Sequence, residues 1–244
     1  MDTQRLLSLS RRAADDYKMI REGDRIAVGL SGGKDSVSLL IALREMQRFY
    51  PHKYDITAVT VSLGFKGFDT EPLKKLCEKY DVQYHIVKTD IAEIVFDARM
   101  EKNPCSLCSK MRNGALHNEA LRLGCSKVAL GHNKNDAVQT LFLSMFYEGR
   151  INTFAPVTLL DRKNIYLIRP LIYIPERDLI SFVKKNNIET VKNPCPANGN
   201  TKREEIKKFI SEQSRTIRDF EEKIFGSFAR LPVCGWEKPG GTGE

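Results

Sequence analysis

Residues 31–36 read SGGKDS, and they stand between an apolar run, RIAVGL, and a helical pattern, VSLLIALREMQRF. Glycines leave backbone N–H groups free to converge on an anion, and the N-terminus of the following helix adds its dipole. In such a loop Ser31, Gly32, Gly33 and Ser36 would supply N–H and hydroxyl donors, and Lys34 a mobile cation. Asp35 offers a carboxylate suited to a magnesium ion carried by a nucleotide. The chemistry is polyphosphate binding. The spacing is not that of the kinase-type loop, whose glycines lie further apart ahead of Gly-Lys-Ser/Thr.

Cysteine is the second reactive type. Cys105 and Cys108 form a C-x-x-C pair in NPCSLCSKMRNGAL, at the opening of a basic helix, and Cys195 follows in NPCPANGN. A C-x-x-C pair alone can bind zinc, exchange disulfides or pack, and structural zinc would need a fourth Cys or His. Three thiolates without a fourth suit an iron–sulfur cluster with one iron left open. Cys77, on the apolar face of LKKLCEKY, and Cys125, before an apolar strand, read as small core residues, and Cys234 receives no role. His132 and Asp136 in GHNKND fall where a nucleotide would lie, whereas His52, His85 and His117 are given no function.

These residues need a frame that brings distant segments together. Apolar β-type runs (RIAVGL, DITAVTVSL, VQYHIVK, KVALGH) alternate with helical patterns, one from about Lys34, TEPLKKLCEKY, one after Cys108, and NDAVQTLFLSMFY. Such alternation predicts an α/β fold with a doubly wound, mostly parallel sheet. Ligands of such sheets bind beyond the carboxyl ends of the strands, where SGGKDS, SLGF and GHNKND all fall. TFAPVTLLDRKNIYLIRPL reads as a hairpin, PERDLISFVKKNN as a helix, and the stretch from Thr201 as a long polar helix before a frayed tail, EKPGGTGE. The expected organisation is an N-terminal helix in residues 1–22, a catalytic α/β domain in 23–200 and a helical extension in 201–244, with no internal repeat.

The formal net charge of +8 favours a polyanionic partner, and residues 184–208 carry a local basic excess. No apolar run is long enough to span a membrane, and the amphipathic start is unlike a signal peptide, so no membrane partner and a cytoplasmic location are expected.

SGGKDS after the first strand resembles the mark of the PP-loop ATP pyrophosphatases, with their adenine-nucleotide α-hydrolase-like fold. GHNKNDAVQTLFLSMFYEG resembles a second signature of the tRNA-modifying members, although the family often has two acids where this chain has Asn135 and Asp136. CSLCSKMRNGAL with a distant single cysteine is similar to the tRNA 2-thiocytidine synthetases and the related archaeal-type 2-thiouridine synthetases. The 2-thiocytidine side is favoured because the chain lacks the paired zinc-finger cysteines of the other branch. One departure is Asn198, where 2-thiocytidine enzymes often carry a further cysteine.

The resemblance implies ATP bound at residues 31–36 with His132 and Asp136, a [4Fe–4S] cluster on Cys105, Cys108 and Cys195, and tRNA as substrate. It further implies Mg2+ near Asp35, sulfur from sulfide or a cysteine desulfurase, and a possible homodimer. The expected reaction adenylates a cytidine O2 and replaces it with sulfur, with Asp35 and the three cysteines in catalytic roles. Two other readings stay open: an ATP-dependent amidation or lysidine-type ligase, which needs no spaced cysteines, and a non-enzymatic nucleotide-binding redox or metal module.

Overall fold

A computed structural model describes residues 1–98, 104–191, 194–195, 201–230 and 235–239. Cys234, the end of the tail and most of the 193–200 loop lie outside these described residues.

The chain alternates as its hydrophobic pattern requires. Helix α1 (Thr3–Asp16) precedes β1 (Asp24–Gly29), α2 (Lys34–Met46), β2 (Tyr54–Ser62), α3 (Glu71–Lys79) and β3 (Gln83–Lys88). A π-helical turn (Glu93–Ala98) follows, then α4 (Pro104–Arg122), β4 (Lys127–Ala129), α5 (Lys134–Glu148), β5 (Val157–Leu160) and β6 (Ile165–Ile168). Three helices close the order: α6 (Glu176–Lys185), α7 (Lys202–Thr216) and α8 (Phe220–Arg230).

The sheet runs β3-β2-β1-β4-β6-β5. All neighbours are parallel except the β5–β6 pair, which is the expected hairpin. β1 is buried on both faces: Ile26 and Val28 point into a large core shared with α1, α2 and α6, while Ala27 joins Val59, Leu116 and Val128 beneath α4. That two-sided burial is why RIAVGL reads as a continuous apolar run rather than an alternating one.

The strand order reverses between β1 and β4, so the loops leaving these two strands part above the sheet and open a crevice. Two details depart from the sequence reading. The helix expected after Cys108 begins earlier, at Pro104, because proline suits the first helical turn, and both cysteines therefore lie on α4. The polar stretch from Thr201 is two helices, α7 and α8, with Asp219 at a positive φ of 57° between them.

A small third core positions the cysteine helix. Leu63, Ile91 and Val95 are buried together, with Phe65, Leu107, Cys108 and Met111 packed around them. Burying one such aliphatic side chain stabilises by about 1.5–3 kcal/mol, enough for this cluster to hold α4 against the exit of β2.

Candidate active site

The 31–36 loop leaves β1 and enters α2, and its conformation is set by two glycines with different constraints. Gly32 has a φ of +89°, and an added Cβ would stand 2.8 Å from Cβ of Val191. Gly33 has an ordinary extended φ of −74°, and an added Cβ would meet nothing closer than Ser31 Oγ at 3.9 Å. Neither backbone nor neighbours require glycine there; what remains is open space beside the N-terminus of α2. No side chain caps that terminus, so its first-turn N–H groups stay available to an anion.

Ser36 staples the loop from inside. Its hydroxyl donates to the Gly33 carbonyl at 2.9 Å and accepts from the Gly32 N–H at 3.1 Å and the Ser31 hydroxyl at 3.2 Å. Lys34 Nζ lies 3.0 Å from Asp35 Oδ2 and 2.8 Å from Oε1 of Glu176, at the start of α6. Burial opposes the ammonium charge, yet the two carboxylates hold the Lys34 pKa above its usual value. Burial pushes the Asp35 carboxyl up despite Lys34 beside it.

The second strand exit presses against the first. A Cβ on Gly131 would stand 3.1 Å from the backbone of Asp35 and Ser36, so β4 approaches α2 this closely only with glycine. Asn133 and Asp136 form a capping box that starts α5, and Asn133 Nδ2 also donates to Asp35 Oδ1 at 3.3 Å. Asp136 therefore spends one oxygen on its helix and turns the other, 3.7 Å away, to Arg203 on α7. Its carboxyl is pushed up by burial. Asn135, where an acid was expected, faces elsewhere: it accepts from the Glu176 N–H at 2.7 Å, capping α6, and donates to Glu221.

A cavity of about 280 Å³ opens between these loops, lined by Ser31, Asp35, Ser36, His132 and Asp136, with Ser109, Arg112 and Asn113 of α4 closing its far side. His132 Nδ1 is buried without a partner. Burial first, then Arg169, Arg203 and Arg112, depress its pKa to about 3, so the imidazole is neutral at physiological pH. Its ring lies 4.8 Å from that of Phe154, and the buried Arg169 guanidinium sits over the same phenyl ring. Arg169 donates to neutral oxygens, those of Ala155 and Thr158.

The cysteines approach the same edge. Val191, four residues before Cys195, donates its N–H to the Gly32 carbonyl at 2.9 Å. Pro194 then borders a small niche with Ser31, Phe65, Phe68 and Arg112. Cys105 is exposed, and Cys108 and Cys195 are half-buried. Burial raises the Cys108 thiol pKa, Arg112 opposes that rise, and the nearby Cys195 and Cys105 add to it. Among the described residues no three His, Cys, Asp or Glu stand close enough to hold a single metal ion. Zinc draws its ligands to about 2.3 Å, whereas a four-iron cluster is a wider body whose thiolates stand further apart. Three neighbouring thiols beside a guanidinium fit such a cluster. Cys77 and Cys125 are buried, with their thiol pKa values raised by burial, to about 12 for Cys77, as core residues should be.

Sequence reasoning singled out none of Arg112, Asn133, Arg169, Glu176, Arg203 or Lys207 individually, although Arg203 and Lys207 lie in the basic segment 184–208. Arg112 carried a signal, one helical turn beyond Cys108 and so on the same face. The others reach the site from elements whose placement no local pattern records.

An open parallel sheet with an uncapped helix and a glycine loop at its switch point defines an α/β phosphate-loop protein. The chain belongs to the PP-loop family, whose domain model matches residues 5–214, and within it to the tRNA 2-thiocytidine synthetase branch. It is 39% identical over 222 residues to the tRNA-cytidine(32) 2-sulfurtransferase of Teredinibacter turnerae, covering 90% of this chain and 74% of that one. To the enzyme of the same name from Geobacter sulfurreducens it is 38% identical, covering 82% of this chain and 79% of the relative. Among solved structures it is similar to the U34-tRNA thiolase NcsA from Methanococcus maripaludis with its [4Fe-4S] cluster. That match has a TM-score of 0.75 and 25% identity, covering 92% of this chain and 77% of the other.

Proposed function

We propose that this protein is an ATP-dependent tRNA sulfurtransferase that converts a cytidine to 2-thiocytidine. The observation that carries this reading is the tether between the two chemistries. The phosphate loop and the Cys195 segment are joined by the Val191–Gly32 hydrogen bond, and Arg112, on the C-x-x-C helix, faces the cavity beside them.

ATP binds with its terminal phosphates at the N-terminus of α2, where Lys34 supplies charge and Asp35 would hold a Mg2+ carried by the nucleotide. The cytidine O2 attacks the α-phosphorus, the bond to the bridging oxygen breaks, and pyrophosphate leaves; the base O2 then carries AMP. Backbone N–H groups and Lys34 stabilise the departing charge. A sulfur nucleophile adds at C2 and AMP leaves with the oxygen. Neutral His132 lines this cavity as a hydrogen-bonding group that brings no competing charge. Cys105, Cys108 and Cys195 would hold the [4Fe–4S] cluster, which when bound would supply the sulfur-transfer chemistry, with sulfide or a cysteine desulfurase as the source of sulfur.

Transfer RNA is the polyanion for which the +8 net charge and the basic α6–α7 region are suited, and the reaction belongs in the cytoplasm. Among the described residues no helix is long and apolar enough to cross a membrane.

Anaerobic reconstitution with iron and sulfide, followed by incubation with tRNA, Mg·ATP and sulfide, tests the whole reading. Nucleoside mass spectrometry should detect 2-thiocytidine, and tRNA binding should weaken steeply with added salt. A colourless protein that consumes ATP and leaves the tRNA unthiolated would overturn it.

A further inference from the structure

One carboxylate oxygen links the phosphate loop to the C-terminal helices. Glu176 Oε1 lies 2.8 Å from Lys34 Nζ and 3.9 Å from Lys207 Nζ on α7. It is an anionic oxygen with two ammonium groups within 4 Å, one of them from the first residue of α2. One turn earlier on α7, Arg203 reaches the first two turns of α5, with Asp136 at 3.7 Å, Gln139 at 3.1 Å and Thr140 at 3.4 Å. The face of α7 bearing Arg203 and Lys207 is thus turned toward the start of α5 and toward Glu176, the carboxylate partner of Lys34.

The cations in this arrangement already have carboxylate neighbours. Lys34, Arg203 and Lys207 face Asp35, Asp136 and Glu176, and Lys207 also has Glu204 of its own helix at 3.7 Å. A bound triphosphate adds several negative charges, and Asp35 is committed to its metal ion in the proposed mechanism. Lys34 and the cations nearest it can meet the incoming oxygens by giving up carboxylates that they now hold.

We propose that Lys207 and Arg203 of α7 are ligands of the nucleotide's terminal phosphates, and that the Glu176 carboxylate competes with a phosphate oxygen for Lys34 and Lys207. When the triphosphate enters, Lys34 and Lys207 exchange the Glu176 carboxylate for phosphate oxygens, and Arg203 turns from Asp136 to the same group. Helix α7 is then fastened to the nucleotide, and Thr201, its N-cap, stands only six residues beyond Cys195. The C-terminal extension becomes part of the adenylation site. This deepens the ATP-dependent reading and rests on it for the identity of the ligand.

Titration calorimetry on the full chain with α,β-methylene-ATP and, separately, AMP tests the proposal. Lys207→Met should weaken the triphosphate analogue by about tenfold or more, the loss expected for a hydrogen bond to a charged group, and leave AMP unchanged. Lys207→Arg should recover most of it. Glu176→Gln should bind the analogue as tightly as the parent or more so, because a competing charge is gone. Equal losses for analogue and AMP in Lys207→Met, no loss for either, or weaker analogue binding in Glu176→Gln would each overturn the proposal. None of these readouts requires tRNA or sulfur. A parent chain that binds the analogue and thiolates tRNA while Lys207→Met binds normally would sink this proposal alone, whereas a parent that binds no triphosphate would sink the functional reading itself.

Discussion

Val191 donates its backbone N–H to the carbonyl of Gly32 at 2.9 Å, and its Cβ occupies the space a side chain on Gly32 would need. One hydrogen bond therefore joins the phosphate loop to the segment that carries Cys195. A conformational demand on the glycine becomes a demand on the cysteine.

Gly32→Ala should accordingly damage both. A methyl group at φ +89° against Val191 costs about 1–3 kcal/mol of backbone strain and crowding. Gly33→Ala, at φ −74° with room around it, should leave the melting temperature near that of the parent. It should weaken ATP by placing a methyl where the phosphate approaches. Thermal melting paired with nucleotide titration separates the two: an equally destabilised Gly33→Ala would refute the distinction.

The neutral His132 predicts an acid sensitivity. Its folded-state pKa of about 3 lies below the ordinary 6.5, so the unfolded chain binds a proton first as pH falls. The stability is fully present above pH 6.5 and drains away between 6.5 and about 3, amounting to about 2 kcal/mol by pH 5. Asp35 and Asp136, whose carboxyls are raised, titrate in the opposite sense, so the informative quantity is the difference from His132→Gln. Urea midpoints from pH 7.5 to 4.5 should show a shallower decline in that variant; parallel curves would contradict a neutral buried imidazole.

Arg112 opposes the rise of the Cys108 thiol pKa. In metal-free protein, Arg112→Met should move the midpoint of Cys108 alkylation to higher pH, and Arg112→Lys should restore it in part. Cys77 and Cys125, buried and raised, should stay unreactive in all three. An unmoved alkylation profile would remove Arg112 from the thiol environment.

Serine substitutions sort the cysteines. At Cys105, Cys108 or Cys195 they should abolish iron retention and thiolation while nucleotide affinity stays within about twofold, because the hydroxyl is a poor cluster ligand. At Cys77, 1% exposed, serine buries a new hydroxyl and should cost about 1–3 kcal/mol with iron content unchanged. Iron analysis with chemical denaturation reads both, and iron retained by Cys195→Ser would exclude it as a ligand.

The local pattern carried most of the frame. Apolar runs broken by helical periodicity gave the parallel sheet, because a strand buried on both faces cannot alternate and a helix on its face must. SGGKDS announced phosphate chemistry for the same kind of reason: an unhindered N–H and a helix start are local properties of a few consecutive residues. Type and spacing singled out the C-x-x-C pair and Cys195 but left zinc, disulfide exchange and packing open, and the family resemblance grouped the three.

What spacing could not give was who faces whom. Glu176 and Lys207 are separated from Lys34 by more than half the chain, yet one carboxylate oxygen serves both ammonium groups. Asn135 and Asp136 are adjacent in sequence, but successive helical residues point in different directions, so one caps α6 while the other turns to Arg203. The His132 pKa depends on arginines from α4, from the end of β6 and from α7, which only the packed chain brings together. Periodicity records which face of each element is buried; the side chains that meet across a crevice are decided when the elements pack, because charge and desolvation act through space rather than along the chain.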